Sequence, residues 1–218
     1  VAEAQALDAA GIALASGAAR IGPNAIIQLA AALAEEHGEA AASAVFHRAG
    51  LPGWLDHAPG AMVPEADVAA LHRALVEHVS EPEARGVAAS AGRRTAAYLL
   101  ANRIPGAVQG LLRLLPPWPS SRVLLRAIGR NAWTFVGSGT LSVAAGHPIV
   151  VTISGGPLRA AGSGAPCVAA YYAATFEGLF RALVHPEAHA AALSRLTETN
   201  GSCAFCLSWA PPQASLVR

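Results

Sequence analysis

The chain has 218 residues, 53% of them hydrophobic and 13% charged, with a net charge of +1. That length buries about 70% of the surface of the unfolded chain and serves one large domain or two small ones. The composition excludes a disordered protein, and the near-neutral charge gives no support to a nucleic-acid binder, which carries a clustered basic face.

The N-terminal stretch VAEAQALDAAGIALASG has acidic residues and no basic start, so it does not read as a signal peptide. With three cysteines and no export signal, the expected compartment is a reducing cytoplasm. The first 130 residues read as helices. IGPNAIIQLAAALAEEHG opens on a proline suited to a first turn and ends at Gly38. VPEADVAALHRALVEHV places Val68, Leu71, Leu75 and Val79 on one face. EARGVAASAGRRTAAYLLANR stops before IPG, and shorter helices follow in VQGLLRLLP and, after an expected PPWPSS breaker, in RVLLRAIGRNA.

At Trp133 the period changes. WTFVGSGTLSVAAGHPIVVTIS alternates β-branched and aromatic runs with glycine turns, a pattern of strands in a meander. From Asn131 to Leu158 there is no charged Asp, Glu, Lys or Arg, yet the turns make these short buried strands rather than a membrane span. CVAAYYAATFEGLFRALV reads as a helix, and SRLTET with SCAFCLSW, joined at Asn200-Gly201, as a closing hairpin. The fold class is α+β: a helical half, 1–130, packed on an antiparallel sheet, 131–218, in one continuous globular domain.

Candidate chemistry is sparse. GSGTLS at 137–142 and GSGAPC at 162–167 carry G-x-G, but neither joins a strand to a helix as a dinucleotide cradle requires. There is no P-loop and no G-x-S-x-G elbow. His37, His47, His72 and His78 lie on helices rich in Glu and Arg and read as solvated, whereas His147 opens a strand beside the uncharged region.

Cys203 and Cys206 form C-x-x-C inside a strand, where residues three apart face opposite ways. A redox pair belongs at a helix start instead, and a zinc knuckle needs four ligands. His185 and His189, four apart on an expected helix, are the nearest additional ligands in sequence. The alternative is that the cysteines are small buried hydrophobes.

ARIGPNAIIQL, RTAAYLLANRIP, AIGRNAWTFVGSGTLSV and PCVAAYYAATFEGLFRALV resemble the BchJ family of bacteriochlorophyll-biosynthesis proteins, described as 4-vinyl reductases. The resemblance covers nearly the whole chain, and residues 130–209 are similar to the wider vinyl-4-reductase domain, a small-molecule-binding α+β module. Zinc-bearing relatives take metal cysteines from positions matching Cys167 and Cys203; the third falls near Thr197–Thr199, where this chain has none.

The resemblance implies a place in bacteriochlorophyll biosynthesis at the 4-vinyl reduction step, and the missing cofactor motifs favour a carrier for a magnesium-tetrapyrrole, chlorophyllide-type intermediate over catalysis. Its alternatives are a 4-vinyl (protochlorophyllide) reductase using a partner-bound electron donor, and a zinc-containing small-molecule sensing module. No intrinsic cofactor is expected, because side chains supply no hydride and no motif cradles a donor. Expected partners are pathway enzymes and a second copy in a homodimer, with at most peripheral membrane contact, at the inner face of the photosynthetic membrane. A tetrapyrrole pocket needs flat apolar walls, a cation for the propionate and an axial ligand. The candidates are Trp133, Phe135, Tyr171, Tyr172 and Phe176 for walls, Arg93, Arg94 and Tyr98 for the acidic end, and His147 for the metal.

Overall fold

The computed structural model describes residues 19–193 and 201–209. The N-terminal stretch, the SRLTET half of the expected hairpin and Asn200 lie outside the described residues.

The expected long helices form where their apolar period places them. Helix α1 (Asn24–His37) buries Ile26, Leu29 and Leu33 and stops at Gly38, whose φ of 85° suits glycine. Helix α2 (Glu39–Arg48) and the short α3 (Gly53–Asp56) follow. The sequence reading passed over α2 because it starts directly at Gly38 with no separating loop. Helix α4 (Glu65–His78) and helix α5 (Glu81–Asn102) come next, α5 opened by a capping box in which Ser80 and Glu83 satisfy each other's backbone.

Helix α6 is Gly106–Leu114 and α7 is Pro117–Arg130. The PPWPSS stretch is therefore not a breaker. Its prolines occupy the first turn of α7, where the missing N–H groups have no intrahelical partner to lose.

The change of period at Trp133 is real, but its first four residues are helical. Trp133–Val136 forms the one-turn helix α8, so Trp133 and Phe135 come from a helix and not from a strand. Beyond the turn at Gly137 come β3 (Thr140–Ala144) and β4 (Ile149–Ser154), then α9 (Gly156–Ala161), a 3-10 turn at Gly162–Gly164 and the long helix α10 (Ala165–Leu183). Strands β5 (His189–Ala192) and β6 (Ser202–Ser208) complete an antiparallel sheet of order β3-β4-β6-β5. The two-residue strands β1 (Arg20–Ile21) and β2 (Val63–Pro64) pair and tie the first described residues to the start of α4.

The layers run α1, α5, α10, sheet, and their apolar side chains form one continuous core. The α5–α10 crossing is close because Gly92 faces the Tyr171 carbonyl, and a Cβ there would lie 2.4 Å from that oxygen. Two polar contacts pin the crossing: Tyr171 and Thr95 hydroxyls meet at 2.8 Å, and Thr175 donates to the Gly92 carbonyl. The architecture is α+β, with no helix among the described residues long and apolar enough to cross a membrane.

Candidate functional site

The aromatic residues chosen as pocket walls divide into two groups. Tyr171, Tyr172 and Phe176 lie on the buried face of α10 and are at most 6% exposed. Phe135 reaches them from α8, its ring 6.0 Å from Tyr172 and 6.3 Å from Phe176 in edge-to-face contacts. The Tyr172 hydroxyl donates to the Phe135 carbonyl at 2.7 Å, and Phe176 continues onto Phe205 of β6. Phe135, Tyr172 and Phe176 pack against each other on the sheet side of α10, whereas Tyr171 turns toward Thr95 of α5 and His72 of α4. Trp133 stands apart from them, 59% exposed.

The arginine pair is on the other side of α5. Arg94 is bonded to Glu35 of α1 at 2.6 Å, Arg93 is exposed, and Tyr98 is half-buried one turn beyond Arg94. None of the three is near α8 or the sheet in the layer order, since α10 intervenes.

His147 does sit among flat rings. Strands β4 and β6 pair with Ile149 opposite Leu207, so continuing the antiparallel register by two residues sets His147 opposite Trp209. Their ring centroids are 4.7 Å apart. The imidazole also lies nearly parallel to the Trp118 ring of α7, at 6.3 Å and 18°. The Arg122 guanidinium lies over Trp118, 4.7 Å from the ring centroid, a cation–π contact. Trp118 and Arg122 are one helical turn apart, the spacing at which side chains on a helix meet. A cleft of about 130 Å³ opens beside them, lined by Ser121, Leu125, Val143 and Ile149. Among the described residues, neither ring nitrogen of His147 has a hydrogen-bond partner. The corner thus offers aromatic faces, an exposed imidazole edge and a guanidinium.

Sequence reading found His147 and missed Trp118, Arg122 and Trp209. The signal was the i, i+4 pair in WPSSR, hidden once PPWPSS was read as a breaker. Trp209 is found only through the strand register.

A larger cleft of about 370 Å³ lies where the GSG turn at 137–139 meets Gly155-Gly156. Its chemistry is polar. The Glu65 carboxylate accepts from the Ser138 N–H at 2.8 Å and from the Ser138 hydroxyl at 2.6 Å, with Arg159 and Thr140 on the rim. Gly137 has φ +58°, and a Cβ there would meet the Glu65 carboxylate at 2.0 Å, so this G-x-G is a turn built around a side chain. The cleft has no aromatic wall.

His72 is a correction. It is fully buried rather than solvated, and among the described residues neither ring nitrogen has a partner. Its ring packs edge-on against Tyr171 at 6.4 Å, and burial lowers its pKa to about 4. The helix wheel placed His72 at i+4 from Val68 on the buried face of α4, but a polar residue type masked the pattern. His185 and His189 are also corrected: His185 is in the turn after α10 and His189 in β5, so they share no helix face.

Cys203 and Cys206 do lie in one regular strand, opposite Ile153 and Val150 respectively. Cys203 faces the core and Cys206 the half-buried side. Cys167, in the first turn of α10, is buried, and burial pushes the thiols of Cys167 and Cys203 up to about 12. Among the described residues, no three of His, Cys, Asp and Glu converge to hold a metal ion.

Curated relatives cover most of the chain. It is 39% identical over 189 residues to the bacteriochlorophyll synthase 23 kDa chain of Rhodobacter capsulatus, spanning 86% of each. It is 42% identical over 170 residues to the chain of that name from Cereibacter sphaeroides, spanning 77% of this chain and 80% of the relative. No protein-family model matches the chain. Among solved structures, an Fe(II) unliganded H-NOX protein point mutant from K. algicida shares the fold at a TM-score of 0.58 and 10% identity, covering 88% of this chain and 98% of that one.

Proposed function

This chain belongs to the family of the bacteriochlorophyll synthase 23 kDa chains, and we propose that in bacteriochlorophyll biosynthesis it carries a magnesium-tetrapyrrole intermediate and presents it to pathway enzymes. The observation that carries this reading is the corner of Trp118, His147 and Trp209 with Arg122 beside it. A tetrapyrrole is a flat apolar ring with a propionate and a central cation. Stacked indoles match the ring, a guanidinium matches the carboxylate, and the imidazole edge of His147 is the axial nitrogen for magnesium. The pigment lies on this corner as on a shelf, because the cleft is far smaller than the roughly 300–1,000 Å³ of an enclosing ligand pocket. Exchange with a partner enzyme is easier from a shelf than from a closed cavity.

The larger cleft fits this ligand less well, being polar and centred on Glu65, a carboxylate that repels a propionate. The likeness to the vinyl-4-reductase domain belongs to the same proposal, as does the association with the 4-vinyl reduction step. The test is titration of the purified protein with a magnesium-porphyrin carboxylate. A saturable Soret shift with quenching of tryptophan fluorescence at micromolar pigment is expected; no saturable change overturns the carrier reading.

A further inference from the structure

Helices α6 and α7 form a hairpin laid on α10, and their inner faces are fixed to it. Arg113 of α6 donates to the Ala182 carbonyl at 3.0 Å, and Ser120 of α7 donates to the Leu183 carbonyl at 2.9 Å. Leu112, Leu124 and Leu125 are buried beneath the hairpin. Away from these contacts both helices expose side chains to solvent.

The exposed faces of α6 and α7 are not ordinary solvated surfaces. On α6 the exposed row is Val108, Leu111 and Leu114, at 42%, 57% and 85%. This is an i, i+3, i+6 apolar stripe with nothing packed on it among the described residues. On α7 the exposed row is Arg122, Arg126 and Arg130, an i, i+4, i+8 line of guanidiniums, with Val123 beside it at 48%. Trp133 follows at the end of the row, 59% exposed. Among the described residues, Arg126 and Arg130 enter no salt bridge.

The two helices themselves carry Arg113, Arg122, Arg126 and Arg130 and no Asp or Glu. Between Glu83 and Glu177 the chain carries nine arginines and no Asp or Glu, and all nine are exposed. The net charge of +1 hides this segregation, because the acidic residues are concentrated before Arg85.

We propose that the outer face of the α6–α7 hairpin docks the protein on an anionic lipid surface. The apolar row of α6 enters the headgroup and acyl boundary, Arg126 and Arg130 of α7 pair lipid phosphates, and Trp133 lies at the interface level. An exposed apolar stripe beside a basic row is the pattern of helices that lie in the membrane plane, and guanidinium forks match phosphate oxygens. Tryptophan prefers this boundary, with one edge apolar and the other wet. An acidic protein partner would match the arginines but leaves unexplained why Leu114 is 85% exposed beside them. No helix of the described residues spans a bilayer, so the contact is peripheral.

The experiment is vesicle flotation without pigment, comparing phosphatidylcholine vesicles with vesicles containing phosphatidylglycerol. Association with the anionic vesicles is expected to be at least about tenfold stronger and to fall as salt is raised. Arg126→Gln with Arg130→Gln is expected to weaken it by roughly twentyfold, about fivefold per arginine. Leu111→Ser with Leu114→Ser is expected to weaken it on both vesicle types. All four residues are exposed, so thermal melts should stay close to the parent. None touches the Trp118–His147–Trp209 corner, so pigment titration of the same variants separates this surface from the carrier reading. Absence of binding to the anionic vesicles at millimolar lipid overturns the proposal. So does undiminished binding by both double variants. A solution dimer that the leucine pair dissociates overturns it too, and makes the face a contact between copies.

Discussion

His147 and Trp209 face each other across the β4–β6 pairing with ring centroids 4.7 Å apart, and the Trp118 indole lies nearly parallel to the imidazole at 6.3 Å. His147 stays exposed beside the two indoles, so its ring edge is open to a ligand. The relationship separates stacking from ligation. His147→Phe keeps an aromatic beside the two indoles and removes the axial nitrogen, so quenching by a magnesium-porphyrin should persist while the Soret shift shrinks. Trp118→Ala should raise Kd roughly tenfold through lost stacking, and Arg122→Gln by about tenfold or more through the lost charge-assisted bond to the propionate. Trp133→Phe should leave quenching intact, since Trp133 is remote from this corner. Fluorescence and absorption titrations of the four variants check the assignment, and loss of quenching in Trp133→Phe alone would place the pigment elsewhere.

Reduction should need help. Both G-x-G stretches are structural: Gly137–Gly139 wraps the Glu65 carboxylate, and Gly162–Gly164 is a 3-10 turn seated on the α4 backbone at His72. Neither presents a strand-to-helix turn to a pyrophosphate. A divinyl pigment incubated with this protein and NADH or NADPH should therefore keep its vinyl group. The assay is pigment chromatography with nucleotide absorbance, and stoichiometric formation of the monovinyl product by the chain alone would overturn the expectation.

His72 should make the fold acid-sensitive. Its pKa is about 4 when folded, against an ordinary 6.5, so below 6.5 the unfolded chain binds the proton that the folded chain refuses. Stability from the neutral imidazole is present above about pH 6.5 and is lost progressively as pH falls toward 4. The full loss is about 3 kcal/mol at roughly 1.4 kcal/mol per pKa unit. Carboxylates titrate in the same window, so the diagnostic quantity is the difference between the parent and His72→Leu. The variant should be more stable by about 1 kcal/mol or more at pH 7, because it removes an unpaired buried polar group, and the gap should widen between pH 6.5 and 4. Denaturant melts at several pH values measure it, and a gap that stays constant with pH would mean that burial leaves the His72 pKa where the unfolded chain has it.

The fold was legible where the period was long and unbroken. Helices α1, α4, α5 and α10 follow apolar faces that Ile26, Leu71, Val87 and Phe176 report directly. The errors have local causes. Pro117 and Pro119 read as a stop although a helix's first turn accepts them, and that one misreading hid Trp118 and Arg122 together. Trp133 and Phe135 have strand propensity, but a four-residue stretch is decided by tertiary contact, here the Tyr172 hydroxyl on the Phe135 carbonyl. The corner itself depends on β4–β6 register, and no local pattern records which residue stands opposite His147. The basic segment was present in the sequence but cancelled in the net charge.

The three cysteines should differ sharply in reactivity, and the strand geometry says how. Cys203 and Cys206 alternate across β6, so only one of them faces the core. Burial keeps Cys167 and Cys203 as neutral thiols at pH 7, with pKa values up to about 12, and the thiolate is the form that reacts. Brief alkylation of the native protein should therefore label Cys206 first, with Cys167 and Cys203 labelled only on unfolding. Cys203→Ser should cost about 1–3 kcal/mol, since a hydroxyl replaces a buried thiol without a good partner, and Cys206→Ser less. If Cys167 and Cys203 instead hold a structural metal with a ligand outside the described residues, both would be protected as thiolates. A chelator would then expose them and lower the melting temperature, because the binding energy of such a site is folding energy. Mass spectrometry of labelled peptides with and without chelator, beside elemental analysis, separates the cases. Near-stoichiometric zinc with chelator-dependent labelling of Cys203 would make the cysteines ligands, whereas labelling indifferent to chelator leaves them as the apolar packing of α10 against β6.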